Sequence, residues 1–170
     1  MLKLISQQTS DCCRRFYSTY SHSSNFFSCY SSASFILPTE MQMKAKRIEV
    51  PNRLLTYGLI ENSELKVPTP ISIDLVKQVH DHEFVDKFME GRFTEREMKR
   101  MGFDAWNEQI RNRVFHTIGA TVCATRDALE LNQSRRSSNL AGGGHHAFSN
   151  RGAGFCIWYV ANNILFECMT

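Results

Sequence analysis

The chain has 170 residues, with 20 Lys and Arg against 17 Asp and Glu, 42% hydrophobic residues and six cysteines. That length suits one domain, at most one with a tail, and the composition is that of a folded chain rather than a disordered one. A net charge of +3 is too small to indicate direct nucleic-acid binding; no apolar run of about 18 residues offers a membrane span, and no recurring period marks collagen, a coiled coil or a repeat array.

Residues 1–35 stand apart. They hold ten serines, three basic residues (Lys3, Arg14, Arg15) and one acid, Asp11. A basic, Ser-rich, acid-poor segment has the composition of an organelle transit peptide, because import favours a positive amphipathic segment. The alternative is a Ser-rich disordered tail with no address. The serine density points to a chloroplast and the Arg15-Phe16-Tyr17-Ser18 junction to a mitochondrion; a nuclear or cytoplasmic form is the alternative location. Residues 2–5 are too short an apolar core for a secretory signal. Without this segment the body keeps 17 basic and 16 acidic residues and is nearly neutral. It also keeps Cys123, Cys156 and Cys168, with no C-x-x-C pair, which predicts reduced and mostly buried thiols.

In chain order, residues 39–55 are expected to contain a helix broken or restarted at Pro51. Pro68 and Pro70 bracket an extended stretch, since proline disfavours helix at the residue before it. Apolar residues recur at helical spacing over 74–79 and 83–89, predicting two short amphipathic helices, the second stopped by Gly91. Thr94-Glu95-Arg96-Glu97 is a capping box opening a short helix that ends near Gly102. The longest helix is predicted over 107–131, on a stripe of Ile110, Val114, Ile118 and Val122 extended by Leu129. Gly119-Ala120 in its middle should allow close packing against a neighbour. A polar loop over 132–138 then leads to a short strand at Asn139-Leu140-Ala141. A long helix, a short strand and a glycine-rich exit form the α/β pattern, in which functional groups gather beyond the carboxyl ends of strands.

That exit is Gly142-Gly143-Gly144-His145-His146-Ala147-Phe148, followed by Gly152-Ala153-Gly154-Phe155-Cys156. Glycines let the backbone approach a ligand closely. Adjacent side chains on a strand point to opposite faces, so two neighbouring histidines share a pocket only where the backbone is irregular. Imidazoles exchange protons near neutral pH, which suits the pair to serve as base and acid around a metal-activated water. A bare His-His pair is otherwise a solvated loop.

The block NLAGGGHHAFSNRGAGFCIW resembles the active-site signature of the zinc-dependent histone deacetylase family: G-G-x-H-H-A, a short spacer, then G-F-C. Upstream, VHDHEFVDKFMEG, GFDAW and IGATVCATRDALE resemble the corresponding stretches, closest to the class IV branch and the acetoin-utilisation-type deacetylases, over residues 36–158. The resemblance implies the amino-terminal part of the arginase/deacetylase-type parallel sheet flanked by helices. It implies Zn²⁺ as cofactor of the full-length family, and acetylated lysine on a histone or non-histone protein as substrate, hence a chromatin regulator. It implies that His145 hydrogen-bonds the metal-bound water and that His146 is general base and then general acid. The Gly154 carbonyl would receive the substrate amide, Phe155 would wall the acyl-lysine tunnel, and Cys156 would pack at its foot. Asp104 is a weaker match to the rim aspartate that clamps the substrate backbone.

After Trp158 the expected Asn-Asp and Ala-rich helix do not follow, and residues 159–170 read as a divergent, replaced tail. The family's Asp-x-His, second Asp and carbonyl-polarising Tyr lie beyond that point, so no metal ligand is carried over. The expectation is a truncated, inactive isoform or fragment; the alternative is a non-catalytic regulatory or decoy isoform that binds partners of the full-length enzyme. A site using His145, His146 and Cys156 as ligands matches no zinc spacing. His80-Asp81-His82 has an H-x-H spacing that suits metal, but the corresponding family segment is structural. Arg135-Arg136 reads as solvated.

Overall fold

Long-range backbone pairing, rather than any local alternation of residues, defines the sheet. The computed structural model describes the backbone of residues 27–30 and residues 49–129, 136–140, 142 and 144–159. Three short strands, β1 (Phe27–Tyr30), β2 (Leu65–Lys66) and β3 (Arg136–Asn139), lie in the order β2-β1-β3. Both pairs are parallel, with Cys29 opposite Leu65 and Tyr30 opposite Asn139. Parallel strands need long crossovers, and the helices supply them: α1 (Glu49–Thr56), α2 (Ile73–Val79), α3 (His82–Met89), α4 (Glu95–Met101) and α5 (Glu108–Leu129).

The central strand β1 falls inside the serine-rich stretch 1–35. Strand β3 is Arg136-Ser137-Ser138-Asn139 rather than the expected Asn139-Leu140-Ala141, and Leu140 is a bend. Pairing with β1 selects this polar segment, although apolar composition favours the later one. Arg136 is therefore a strand residue and not a loop residue; Arg135 lies outside the described residues, as does Cys168. Residues 39–48 of the expected helix lie outside the described residues, and Pro51 sits where α1 starts. It is the third residue of the helix, in the first turn, where the backbone N–H groups have no intrahelical acceptor to lose.

The short helices are set by their caps. Ser72 Oγ accepts from Leu75 N–H, and Asp81 Oδ1 accepts from Phe84 N–H. In the Thr94 capping box, Glu97 N–H donates to Thr94 Oγ1, and the Glu97 carboxylate accepts from Thr94 N–H. Gly102 closes α4 in the left-handed conformation, φ 86°, a region glycine enters without penalty.

Lys87 also binds Glu97. Its ammonium group, then the Thr94 N–H, hold that carboxyl at about 2, down from 4.5. Two outcomes are expected in urea titrations. Thr94→Ala costs about 1 kcal/mol. The Glu97 contribution is complete above pH 4.5 and is lost as pH falls towards about 2, so the decline over that window is shallower in Glu97→Gln.

Helix α5 lies across β1 and β3. Ile110, Ile118 and Val122 are buried as the stripe predicts, with Val114 packed beside them. Leu129 is 56% exposed and does not extend the stripe; Ala124 is buried near that end. The expected close approach at Gly119 is made by residues 68–71, where Ile71 N–H donates to the Phe115 carbonyl at 3.1 Å. At the carboxyl end of β3, the Asn139 amide donates to Thr117 O, Thr121 Oγ1 and Gly142 O, at 3.1, 2.7 and 3.1 Å, tying the strand exit to α5. Among the described residues no helix is long and apolar enough to cross a membrane.

Candidate functional site

The chain leaves β3 through Gly142 and turns at His145 and His146. The backbone there is irregular, so both imidazoles come to the same side. They are exposed, with ring centroids 4.0 Å apart and planes at 45°. Ala147, the next residue, is buried. Phe148 N–H donates to the Arg151 carbonyl at 2.8 Å, and the Arg151 guanidinium lies 3.8 Å from the Phe148 ring centroid. This closes a tight turn.

The second half of the motif folds back against the first. Ala153 and Cys156 exchange backbone hydrogen bonds of 2.9 and 2.8 Å around Gly154 and Phe155, both at positive φ (53° and 65°). A Cβ on Gly154 would lie 2.9 Å from His146 Cγ, so the bare backbone of residue 154 abuts the His146 ring. Phe155 is not glycine, and its left-handed conformation costs about 1–3 kcal/mol. Two contacts hold it there. Its N–H donates to the Met101 carbonyl at 2.8 Å, and its ring lies on Gly102, where a Cβ would come within 2.5 Å. Phe103 meets the same ring edge-on at 6.1 Å. Phe155 remains 40% exposed, a partly open apolar wall beside the histidines. Asp104 is exposed and follows directly on Phe103, the residue that meets the Phe155 ring.

The structure therefore brings together His145, His146, Gly154 and Phe155. Cys156 is buried, with its thiol 3.6 Å from the Gly154 carbonyl. A carbonyl oxygen has two lone pairs, so Gly154 retains capacity for a second donor. Among the described residues no three His, Cys, Asp or Glu side chains gather to hold a metal ion. Cys156 is buried, so among the described residues no third donor joins the two imidazoles as a zinc ligand. What the site can do is pass protons between two adjacent imidazoles and receive an N–H at Gly154 beside an aromatic wall.

Two supports of the site lie outside the motif. Met101 and Gly102 seat Phe155, although residue 102 reads in the sequence only as a helix stop. His80 binds the motif from outside, with both ring nitrogens on backbone groups. Its H-x-H spacing marks the residue without revealing this use, because its partners are main-chain atoms.

A model of the histone deacetylase domain matches residues 41–166, running past Trp158. An uncharacterised protein of Picosynechococcus sp. is 31% identical over 104 residues, which cover 61% of this chain and 33% of that protein. The crystal structure of a histone deacetylase homologue from Aquifex aeolicus superposes with a TM-score of 0.66 at 20% identity, over 84% of this chain and 41% of that one. A homologue complexed with SAHA gives 0.67 at the same identity and coverage. The HD domain of HDA15 gives 0.61 at 16% identity, over 86% of this chain and 44% of that domain. The fold is thus the arginase/deacetylase-type parallel sheet with flanking helices. The chain spans less than half the length of each of these relatives.

Proposed function

The chain belongs to the histone deacetylase family, and from that premise we propose that it carries the proton-handling and acyl-binding part of a lysine deacetylase site of class IV type. His146 takes a proton from the attacking water and returns it to the leaving amine. His145 orients that water. The Gly154 carbonyl accepts the substrate amide N–H, Phe155 walls the acyl-lysine stem, and Asp104 clamps the substrate backbone at the rim. The substrate is acetylated lysine on a histone or non-histone protein, and a targeting segment within residues 1–35 that ends ahead of β1 directs the chain to a chloroplast or mitochondrion. The observation that carries this reading is the seating of His146 against the bare backbone of Gly154, with His145 at 4.0 Å.

The family's zinc would act as Lewis acid on the scissile carbonyl, but the described residues offer it no ligand set. The 170-residue chain is therefore expected to be catalytically silent alone. The test is acetate release from an acetyl-lysine peptide in the presence of Zn²⁺. The chain alone should give none. Joined to the remaining carboxyl-terminal part of a histone deacetylase domain it should turn over, and His146→Ala should cut that rate about 100-fold or more. Turnover by the chain alone that His146→Ala abolishes would overturn the silence. Turnover of the completed domain that survives the substitution would overturn the role of His146.

A further inference from the structure

We propose that His80 is a positioning residue for this site: its imidazole, as the neutral Nδ1–H tautomer, grips the backbone at Ser149 and Tyr159 and so fixes both ends of the segment that holds Gly154 and Phe155 against His146. His80 caps the carboxyl end of α2 and is 3% exposed. A backbone carbonyl can only accept, so the 3.0 Å contact with Ser149 O requires the hydrogen on Nδ1. A backbone N–H can only donate, so the 2.9 Å contact from Tyr159 N requires a lone pair on Nε2. One tautomer satisfies both, and each ring nitrogen is spent on the main chain of the same segment.

The grip is reinforced. Asp81 N–H donates to the same Ser149 carbonyl at 2.9 Å. The ring lies 5.2 Å from the Trp158 ring and 6.1 Å from Phe84, so it cannot swing without disturbing the core. Burial draws the imidazole below its ordinary 6.5, against the raising effect of the Ser149 carbonyl, and this favours the neutral form. Between the two gripped points lie the left-handed pair Gly154 and Phe155, one touching the His146 ring and the other bound to Met101. A segment with two residues in that conformation needs its ends held, and helix α2 is the anchor.

The inference rests on residues 145–155 being the site, but its test needs no turnover, so its failure is separable from that of the hydrolysis assay. In the full chain labelled with ¹⁵N, long-range imidazole correlations should show His80 protonated at Nδ1 and bare at Nε2. His80→Leu should shift the His146 ring and the Gly154 and Phe155 amide signals, and speed amide exchange at Tyr159 about fivefold, the loss of one hydrogen bond. His80→Gln, whose amide carries a donor and an acceptor, should restore both. A purely space-filling role predicts the reverse, since leucine fills the site and moves nothing at His146. A Nε2–H tautomer or an imidazolium at neutral pH would overturn the proposal, even if the leucine variant does not fold. So would a folded leucine variant with unchanged His146 signals and Tyr159 exchange.

Discussion

Gly119→Ala is expected to destabilise the chain by about 3 kcal/mol, the upper end of what overpacking costs. Helix propensity argues the other way, since alanine inside a helix is favoured over glycine by about 1 kcal/mol. Packing decides. A Cβ on residue 119 would lie 2.0 Å from the Thr69 carbonyl oxygen and 2.9 Å from Ile71 N. These are backbone atoms and cannot rotate aside as a side-chain tip would. Pro68 and Pro70 flank the contact and hold their own φ near one value, which limits how far the strap can bend. Ile71 is anchored on both counts, by its N–H to the Phe115 carbonyl and by a side chain only 6% exposed. Relief therefore requires residues 68–71 to lift from α5, breaking that hydrogen bond and exposing Ile71. Urea denaturation followed by circular dichroism should show a lower midpoint with an unchanged slope. A variant as stable as the parent, or more so, would mean that propensity wins and that the strap does not cross α5 at this point.

The same glycine shows which parts of the molecule are legible in the sequence. A glycine midway along an apolar stripe announces a close neighbour, and the Thr94 box and Gly102 announce the two ends of α4, because caps and helical faces are local physics. The strands are different. Arg136-Ser137-Ser138-Asn139 carries no period-2 alternation, and β1 comes from a serine-rich segment. Each is a strand through hydrogen bonds to segments far away in the chain, and no local pattern records those. The candidate site divides in the same way. Adjacent histidines between glycine turns are visible as chemistry, and the resemblance assigns them roles. The atoms that seat them are the Met101 carbonyl under Phe155 and the Ser149 carbonyl and Tyr159 N–H around His80. Every residue except proline has such a carbonyl and N–H, so residue identity does not reveal which of them are used.

The largest loss is expected at Trp158. Its ring is fully buried, with Phe88 edge-on at 4.8 Å, Phe84 edge-on at 5.4 Å and His80 at 5.2 Å. Trp158→Ala removes the ring on which α2, α3 and the site segment converge, and should cost about 3–5 kcal/mol, a large share of the stability of any single domain. Trp158→Phe separates packing from polarity. The indole Nε1–H is buried without an acceptor among the described residues, and leaving such a donor unsatisfied costs about 1–3 kcal/mol. Phenylalanine discards that donor while leaving a smaller void, so the two changes nearly cancel and the variant should melt close to the parent. The site should follow the core. Tyr159 is the next residue, and its N–H is held by His80, so the alanine variant should also lose protection at that amide, whereas the phenylalanine variant keeps it. Thermal and urea melts of both variants, with amide exchange at Tyr159, decide the matter. A phenylalanine variant as unstable as the alanine one would show that the indole N–H has a partner and that its hydrogen bond, rather than the packed ring, holds this segment in place.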